Sequence, residues 1–234
     1  NNISILPASI NKSYQLETLL LYSNYIHTIA NPLNLRNLTS LRLHNNNICT
    51  LPSNIGDMSK LETLDISHNR VNVLPDSIIR CKELIILSAS DNNLYQLPSG
   101  FNNLVKLKHL LLVNNHFDNI ADDIYLLINL ENLSLNMNNI NYISDKISYL
   151  RKLNYLGLDY NEIQKIPKGI HKLTNLSKLS ISNNKLYSFP VYMLKHNTNL
   201  TVLNLSDNNI RKKPRLKYDE NDLYVNIYNN PCSK

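Results

Sequence analysis

The chain has 234 residues, 43% of them hydrophobic, and carries 24 Lys and Arg against 18 Asp and Glu, a formal net charge of +6. This length and composition allow a sizeable core. Three cysteines, none in a Cys-x-x-Cys pair, exclude a disulfide framework and a cysteine-based zinc site of ordinary spacing. No apolar run approaches the ~20 residues of a transmembrane helix, so the sequence predicts no membrane span.

A self-similar pattern runs through almost the whole sequence and returns every 22 to 24 residues. A fixed period of this size indicates a solenoid of stacked units, each burying its apolar face against its neighbours. Nine segments fit L-x-x-L-x-L-x-x-N-x-L, with the motif Asn at Asn24, Asn46, Asn69, Asn92, Asn115, Asn138, Asn161, Asn184 and Asn208.

The sequence of each repeat predicts the same two elements. The central x-L-x-L-x alternates with period two, which is typical of a short half-buried strand, first near residues 18–22 and 40–44 and last near 202–206. The motif Asn can satisfy backbone groups where the chain leaves the strand. The second half reads L-P-x-x-I-x-x-L in most units, as at Leu51-Pro52 with Ile55 and Met58, and predicts a 3₁₀ or helical turn.

Units of 23 residues with L-P-x-x-I resemble the intracellular leucine-rich repeat proteins of the Ras-scaffold group, over roughly residues 1 to 210. The resemblance implies an α/β fold, a curved right-handed solenoid with a parallel sheet on its concave side and short convex segments. It also implies a protein partner, from small GTPase or type 1 phosphatase pathways. A phosphatase-docking R/K-V-x-F motif is missing, since Lys185–Phe189 is only a poor approximation.

The pattern divides the chain into three parts. Residues 1–15 form a partial repeat, because aligning Leu6-Pro7 with Leu74-Pro75 places Asn1 at the motif position. We therefore expect the chain to be a fragment of a longer protein. Nine leucine-rich repeats follow over residues 16–210, and residues 211–234 form a degenerate tenth repeat that acts as a C-terminal cap.

A mixed-charge patch is predicted in the N-terminal half, on the face that the strands present to solvent. Metal or acid–base chemistry would need His and Asp side chains from neighbouring strands, but no His-x-x-x-His pattern supports it, and a solenoid face lacks a closed pocket. A solvated binding surface is the favoured interpretation. Its members are Arg42, His44 and His68, with Asp65, Asp91 and His109.

A tyrosine-rich patch is predicted further along the same face. Tyr155, Asp159 and Tyr160 come from one repeat, and Met137 and Lys178 come from its neighbours. Exposed Tyr and Met are enriched at protein interfaces, so this patch is the predicted anchor for a partner.

The run Arg211–Lys217 carries five positive charges in seven residues and invites a targeting or nucleic-acid interpretation. Asp219, Glu220 and Asp222 follow and offset much of it, and interleaved aromatic residues are missing. A solvated cap is therefore favoured over nucleic-acid binding.

These patterns predict a non-enzymatic interaction scaffold that needs no cofactor or metal and binds a protein across its concave face. The alternative is a regulatory or targeting domain of a larger signalling enzyme, such as a kinase, phosphatase or ubiquitin ligase. An extracellular recognition domain is disfavoured by the unpaired cysteines. We expect a cytoplasmic location, because glycans at the sequons of Asn132 and Asn204 would block the concave strands.

Overall fold

The structure is a computed structural model that describes residues 1–212 and 223–233. The chain forms two compact units, Asn1–His116 and Phe117–Lys234. Each unit is built from the same coil: a short strand, a tight turn at the motif Asn, and a return segment on the opposite side.

The first unit contains seven short strands in its described residues: β1 (Ile5–Leu6), β2 (Thr18–Leu20), β3 (Thr28–Ile29), β4 (Ser40–Arg42), β5 (Thr63–Asp65), β6 (Ile86–Ser88) and β7 (His109–Leu111). Five of them pair in parallel in the order β2-β4-β5-β6-β7, and β1 pairs with β3 in a separate parallel ladder. The register is regular, with Leu41 of β4 opposite Leu64 of β5. The return segments contain 3₁₀ helices at Ala8–Lys12, Ile55–Asp57, Asp76–Arg80 and Phe101–Asn103.

The second unit repeats this arrangement over its described residues. Its strands are parallel, and the register places Leu156 of β9 opposite both Leu133 of β8 and Leu179 of β10. The strands are β8 (Asn132–Ser134), β9 (Tyr155–Gly157), β10 (Lys178–Ser180), β11 (Val202–Asn204) and β12 (Tyr224–Asn226). The return segments contain α1 (Asp122–Tyr125) and 3₁₀ helices at Asp145–Tyr149, Lys168–Lys172, Val191–Lys195 and Pro231–Ser233. The predicted parallel strands and short helical turns are confirmed in both units.

The predicted strands were two residues too long. The strand expected over residues 18–22 ends at Leu20, and the one expected over 202–206 ends at Asn204. The reason is the turn that follows, because the residue directly before each motif Asn has a positive φ, as at Ser23 with φ 54° and Asp207 with φ 54°. The chain therefore leaves the extended conformation before the motif Asn is reached.

The motif Asn side chains are buried, except Asn69, which is half-buried, and they join neighbouring coils as predicted. Asn161 donates from Nδ2 to the carbonyl of Leu135 in the preceding coil at 2.9 Å and to that of Leu158 at 3.1 Å. Its Oδ1 accepts the N–H of Ile140 at 2.9 Å. Asn230 makes the corresponding bonds to Leu205, Ile227 and Ile210, so the geometry continues past the ninth repeat.

The aliphatic positions of the motif fill the core between the strands and the return segments. Leu64, Ile66 and Val71 are fully buried in one coil, and Leu156, Leu158 and Ile163 are fully buried in another. Cys81 is also fully buried, as expected for a small apolar side chain at this repeat position, whereas Cys49 is exposed. Among the described residues, no helix combines the length and the apolar character needed to cross a bilayer.

Candidate functional site

The strands leave one face of each sheet free of packing. In β9 the central Leu156 is fully buried, so the side chain of Tyr155 before it turns to the opposite face. Parallel register stacks equivalent positions of successive coils side by side, as Lys178 beside Tyr155. We call this surface the strand face, and all seven binding residues predicted from the sequence belong to it or to the turn that ends it.

The turn before each motif Asn adds a second row of outward positions. Within the described residues, ten non-glycine residues have φ between 51° and 56°, each directly before a motif or cap Asn. Asn, Asp and His tolerate this left-handed conformation best, whereas bulky side chains rarely adopt it. Most of the ten follow that preference, but Met137 and Tyr160 do not. The ten are Ser23, Asn45, His68, Asp91, Asn114, Met137, Tyr160, Asn183, Asp207 and Asn229.

Met137 and Tyr160 lie in adjacent coils of the second unit. The N–H of Met137 donates to the carbonyl of Asp159 at 2.8 Å, and the N–H of Asn138 donates to that of Tyr160 at 3.2 Å. Both side chains are about half exposed. We call Met137, Tyr155, Asp159 and Tyr160 the tyrosine patch, and the structure brings them together on two neighbouring coils.

Tyr155 is less exposed than Tyr160, because its ring lies across the strand. A methyl group placed at Gly157 would come within 2.6 Å of the Tyr155 hydroxyl and 2.9 Å of the Asn136 amide. The missing side chain at Gly157 therefore leaves the space that the Tyr155 hydroxyl occupies, and the phenol is fixed close to the sheet.

Asp159 is partly committed to the scaffold. Its Oδ1 accepts the N–H of Ser182 at 2.6 Å, and it accepts the hydroxyls of Ser180 and Ser182, each at 2.7 Å. The carboxylate thus fixes the next coil while keeping its negative charge at the strand face. Asp159 therefore contributes a fixed carboxylate to the patch, and its side chain is not free to move toward a partner.

The histidine patch of the first unit consists of Arg42, His44 and His68. His44 Nδ1 lies 3.1 Å from Asp65 Oδ2, although the atoms are not aligned as a hydrogen bond, and His68 Nδ1 lies 3.3 Å from Asp91 Oδ2. Each imidazole is therefore placed beside a carboxylate of the next coil. Arg42 is exposed and stands opposite Asp65 in the strand register.

Tyr22 is a member of this surface that the sequence did not predict. Tyr22 stacks on His44, with ring centroids 4.7 Å apart and planes 5° from parallel. Both residues stand two positions before a motif Asn in adjacent coils, so the repeat alignment placed them side by side. The stack extends the histidine patch toward the exposed Leu20.

The described side chains of these patches do not form a metal-binding group. Over residues 1–212 and 223–233, His, Cys, Asp and Glu side chains do not form a group of three that could hold a metal ion. Most of the basic run over residues 211–217 lies outside the described residues, as do Asp219, Glu220 and Asp222.

The repeat geometry agrees with a family match. The profile of the leucine-rich repeat region matches the chain over residues 12–141 and again over residues 98–217. The chain belongs to the leucine-rich repeat family. A search of curated proteins found no matching sequence.

Solved leucine-rich repeat structures resemble the chain over nearly its full length. A leucine-rich repeat protein of Leptospira interrogans is 28% identical, with a TM-score of 0.80 over 98% of this chain and 65% of that one. The ectodomain of the Arabidopsis thaliana receptor kinase GASSHO1/SCHENGEN3, in complex with CASPARIAN STRIP INTEGRITY FACTOR 2, is 25% identical. Its TM-score is 0.81 over 98% of this chain and 29% of that one.

A third resemblance is to the ectodomain of the Arabidopsis receptor kinase HAESA, in complex with an N-terminally extended IDA peptide hormone. It is 28% identical, with a TM-score of 0.76 over 90% of this chain and 37% of that one. The chain therefore spans less than two thirds of the length of each of these three solved chains.

Proposed function

We propose that this protein is a non-catalytic interaction module that binds a protein or peptide partner across its strand face. The two receptor ectodomains that it resembles are in complex with CASPARIAN STRIP INTEGRITY FACTOR 2 and with an IDA peptide hormone, which supports a binding role for the same repeat architecture. The rigid strands present side chains that are already ordered, so little conformational entropy is lost on binding.

The exposed pair Met137 and Tyr160 carries this proposal. Each occupies a left-handed position where Asn or Asp would be conformationally easier, and each leaves about half of a large side chain in water. Neither choice stabilises the fold. A partner that covers them offsets both costs, and Met and Tyr are residue types that interfaces favour. We therefore place the anchor of the partner on the tyrosine patch.

Arg42, His44 and His68 form the secondary contact in this proposal. His44 and His68 each stand beside a carboxylate, while Arg42 remains exposed with its guanidinium available to an acidic group. Such mixed-charge surfaces set orientation and specificity more than total affinity.

The test is affinity capture from a lysate of the source organism with two matched double variants. Met137→Asn/Tyr160→Asn removes the anchor while keeping residue types that the left-handed turn accepts. Leu126→Asn/Tyr149→Asn removes one aliphatic residue and one tyrosine from the return segments, also 23 positions apart. The matched exposures are 48% and 57% for the anchor pair and 49% and 52% for the control pair.

A partner recovered by the wild type and by the return-segment variant, but lost with the anchor variant, supports the proposal. Its affinity, measured with purified proteins, should fall about 30-fold or more with the anchor variant, since interface hot spots are worth ~2 kcal/mol or more. Equal recovery by the wild type and the anchor variant, with loss in the return-segment variant, would place binding on the other side of the coils.

The narrower expectations stay predictions from the sequence. They are the 23-residue Ras-scaffold subgroup, a small GTPase or phosphatase-pathway partner, and a cytoplasmic location. A purified small GTPase in its GDP and GTP states, and a type 1 phosphatase catalytic subunit, serve as direct baits for the second. If neither binds while another protein is captured through Tyr160, the interaction role stands and these partner classes are eliminated.

A further inference from the structure

A second surface lies beside the strand face of the second unit, where the chain runs from the motif Asn toward the return segment. Two adjoining grooves of about 320 Å³ and about 270 Å³ share Tyr142 and Lys165 as lining residues. We call the pair the side groove. The residues that matter here are Asn141, Tyr142, Gln164, Lys165, Lys168 and Tyr187.

The side groove combines aromatic surface with unused amide groups. Tyr142 and Tyr187 are 62% and 52% exposed, so each presents most of a ring to solvent. The side chains of Asn141 and Gln164 make no hydrogen bond with other described residues. Amides of this kind can both donate to and accept from a peptide backbone.

The charge of the side groove is positive. Nearby lysines have carboxylate partners, since Lys146 pairs with Asp122 at 2.7 Å and Lys185 pairs with Glu162 at 3.0 Å. Lys165 and Lys168 have none among the described residues. Asp145, also in the lining, accepts the backbone N–H of Gly169 at 2.6 Å through Oδ1 and is thereby held by the scaffold.

We propose that the side groove binds an acidic, extended segment of a protein. Carboxylates of that segment pair with Lys165 and Lys168, its backbone bonds to the amides of Asn141 and Gln164, and its apolar parts cover the rings of Tyr142 and Tyr187. The groove crosses three successive coils, a span of about 10 Å that suits about three residues of extended chain. This site is separate from the tyrosine patch, so the two proposals can fail independently.

The probe is a dye-labelled octapeptide of alternating Glu and Tyr, followed by fluorescence anisotropy at 0.05 M and 0.3 M NaCl. A Lys/Tyr octapeptide and a single-stranded octanucleotide are run beside it. Lys165→Ala/Lys168→Ala tests the charges, and Tyr142→Ser/Tyr187→Ser tests the rings. The charge control is Lys172→Ala/Lys195→Ala, which removes two exposed lysines from the return segments of the same unit.

The expected result is binding of the acidic peptide that weakens with salt and falls about fivefold or more in the two groove variants, because charge pairs and aromatic contacts are both lost. The control variant should bind within about twofold of the wild type, since its charges lie outside the groove. Equal losses in the groove and control variants, no binding of the acidic peptide by the wild type, or tighter groove-dependent binding of the octanucleotide would each overturn the proposal.

Discussion

Each motif Asn side chain ties backbone groups of two coils to one another. In the first unit, Asn69 donates to Leu43 of the preceding coil and to Ile66 of its own, both at 3.0 Å, and accepts from Ile48 at 2.9 Å. These hydrogen bonds are partly buried, so water has restricted access to the backbone groups and replaces a lost partner poorly. The amide is therefore required by the backbone at this position, although aliphatic residues surround it.

Replacing Asn161 with Ala should lower the free energy of unfolding by about 1–3 kcal/mol, because the Leu135 carbonyl and the Ile140 N–H lose a buried partner. Urea unfolding followed by circular dichroism measures the change. Asn139→Ala is the control, since Asn139 is exposed and one residue past a motif position. Equal urea midpoints for Asn161→Ala and the wild type would show that water or relaxation satisfies these groups.

The left-handed turn residues predict a gain of stability from the anchor variant. Met137→Asn and Tyr160→Asn should each raise the free energy of unfolding by roughly 1 kcal/mol or less, because Asn adopts a positive φ more easily than Met or Tyr. Thermal unfolding with the partner absent measures this. As the converse, Asn183→Val at φ 51° should lower stability. A loss of stability in the anchor variant would mean that Met137 and Tyr160 pack for the fold.

Tyr125 links stability to alkaline pH. Burial raises the pKa of its phenol to about 12, and the phenol oxygen accepts the N–H of Ser144 at 3.1 Å. The unfolded chain ionises this group near pH 10, so the stabilising effect is complete below pH 10 and is lost as the pH rises toward 12. At pH 11 the loss should be roughly 1 kcal/mol.

The measurement compares urea midpoints of the wild type and Tyr125→Phe at pH 9 and pH 11. The wild type should lose more stability between these values than the variant. Burial also raises the pKa of the Cys81 thiol, to about 11, but this contribution is common to both proteins and cancels in the difference. Parallel losses in both proteins would contradict the role of Tyr125.

At the scale of elements, the 3₁₀ return segments of adjacent coils approach each other closely where glycine stands. A Cβ added at Gly56 would lie 1.9 Å from the carbonyl oxygen of Ser77, and one at Gly169 would lie 2.4 Å from that of Asp145. Both obstacles are backbone atoms, which cannot rotate away as a side chain can. These glycines therefore set how closely the 3₁₀ helices Ile55–Asp57 and Lys168–Lys172 pack on their neighbours.

Gly56→Ala and Gly169→Ala should each cost roughly 1–3 kcal/mol of stability, as expected when a well-packed contact is overfilled. Differential scanning calorimetry gives the change in Tm, and Lys168→Ala, exposed and next to Gly169, is the control. A variant that melts at the wild-type temperature would show that the return segments slide apart at little cost.

The strands and return segments were predictable from the sequence because the same motif occurs in nine successive copies. Every copy has Asn at the turn, and all but the fourth, which has Ala89, have Leu or Ile at the alternate strand positions, so local preference and burial agree. The strand ends were not predictable in the same way. Seven of the ten left-handed residues are Asn, Asp or His, which favour that conformation. The motif or cap Asn that follows each of them is of the same favoured type but is not left-handed, so residue type alone does not locate the turn.

For the candidate site, the sequence predicted only which equivalent repeat positions lie side by side on the strand face. Repeat spacing alone placed Met137, Tyr155, Asp159 and Tyr160 on one surface, and in the structure they lie on two neighbouring coils. The spacing could not predict that Asp159 accepts three hydrogen bonds from Ser180 and Ser182, because these bonds depend on side-chain rotamers in two coils. The side groove was missed for a related reason, since it forms on the turns beyond the strands, where the motif has few fixed residues.

At the scale of the whole molecule, contacts are local along the stack. Among the described residues, the side-chain hydrogen bonds that join coils link residues close to one period apart, from 19 positions for Tyr125 and Ser144 to 27 for Asn197 and Ile170. Each coil is therefore stabilised by its immediate neighbours, and stability is approximately a sum over coils and their interfaces. A lesion in one coil should loosen the coils beside it before it affects distant ones.

Hydrogen exchange under native conditions tests this locality with one variant in each unit. Asn161→Ala should speed exchange at Ile140, which loses its acceptor, and in the coils around β9, while Leu43 in the first unit keeps its protection. Asn69→Ala should do the reverse, with faster exchange at Ile48 and an unchanged Leu158. Leu43 and Leu158 serve as reporters because they donate to Asp65 at 2.7 Å and Ser180 at 2.8 Å, respectively. If the coils open locally, each variant speeds exchange at the reporter in its own unit and leaves the reporter in the other unit unchanged. If either variant speeds exchange at both reporters alike, the chain opens as one cooperative block, and the coils are coupled over far more than one period.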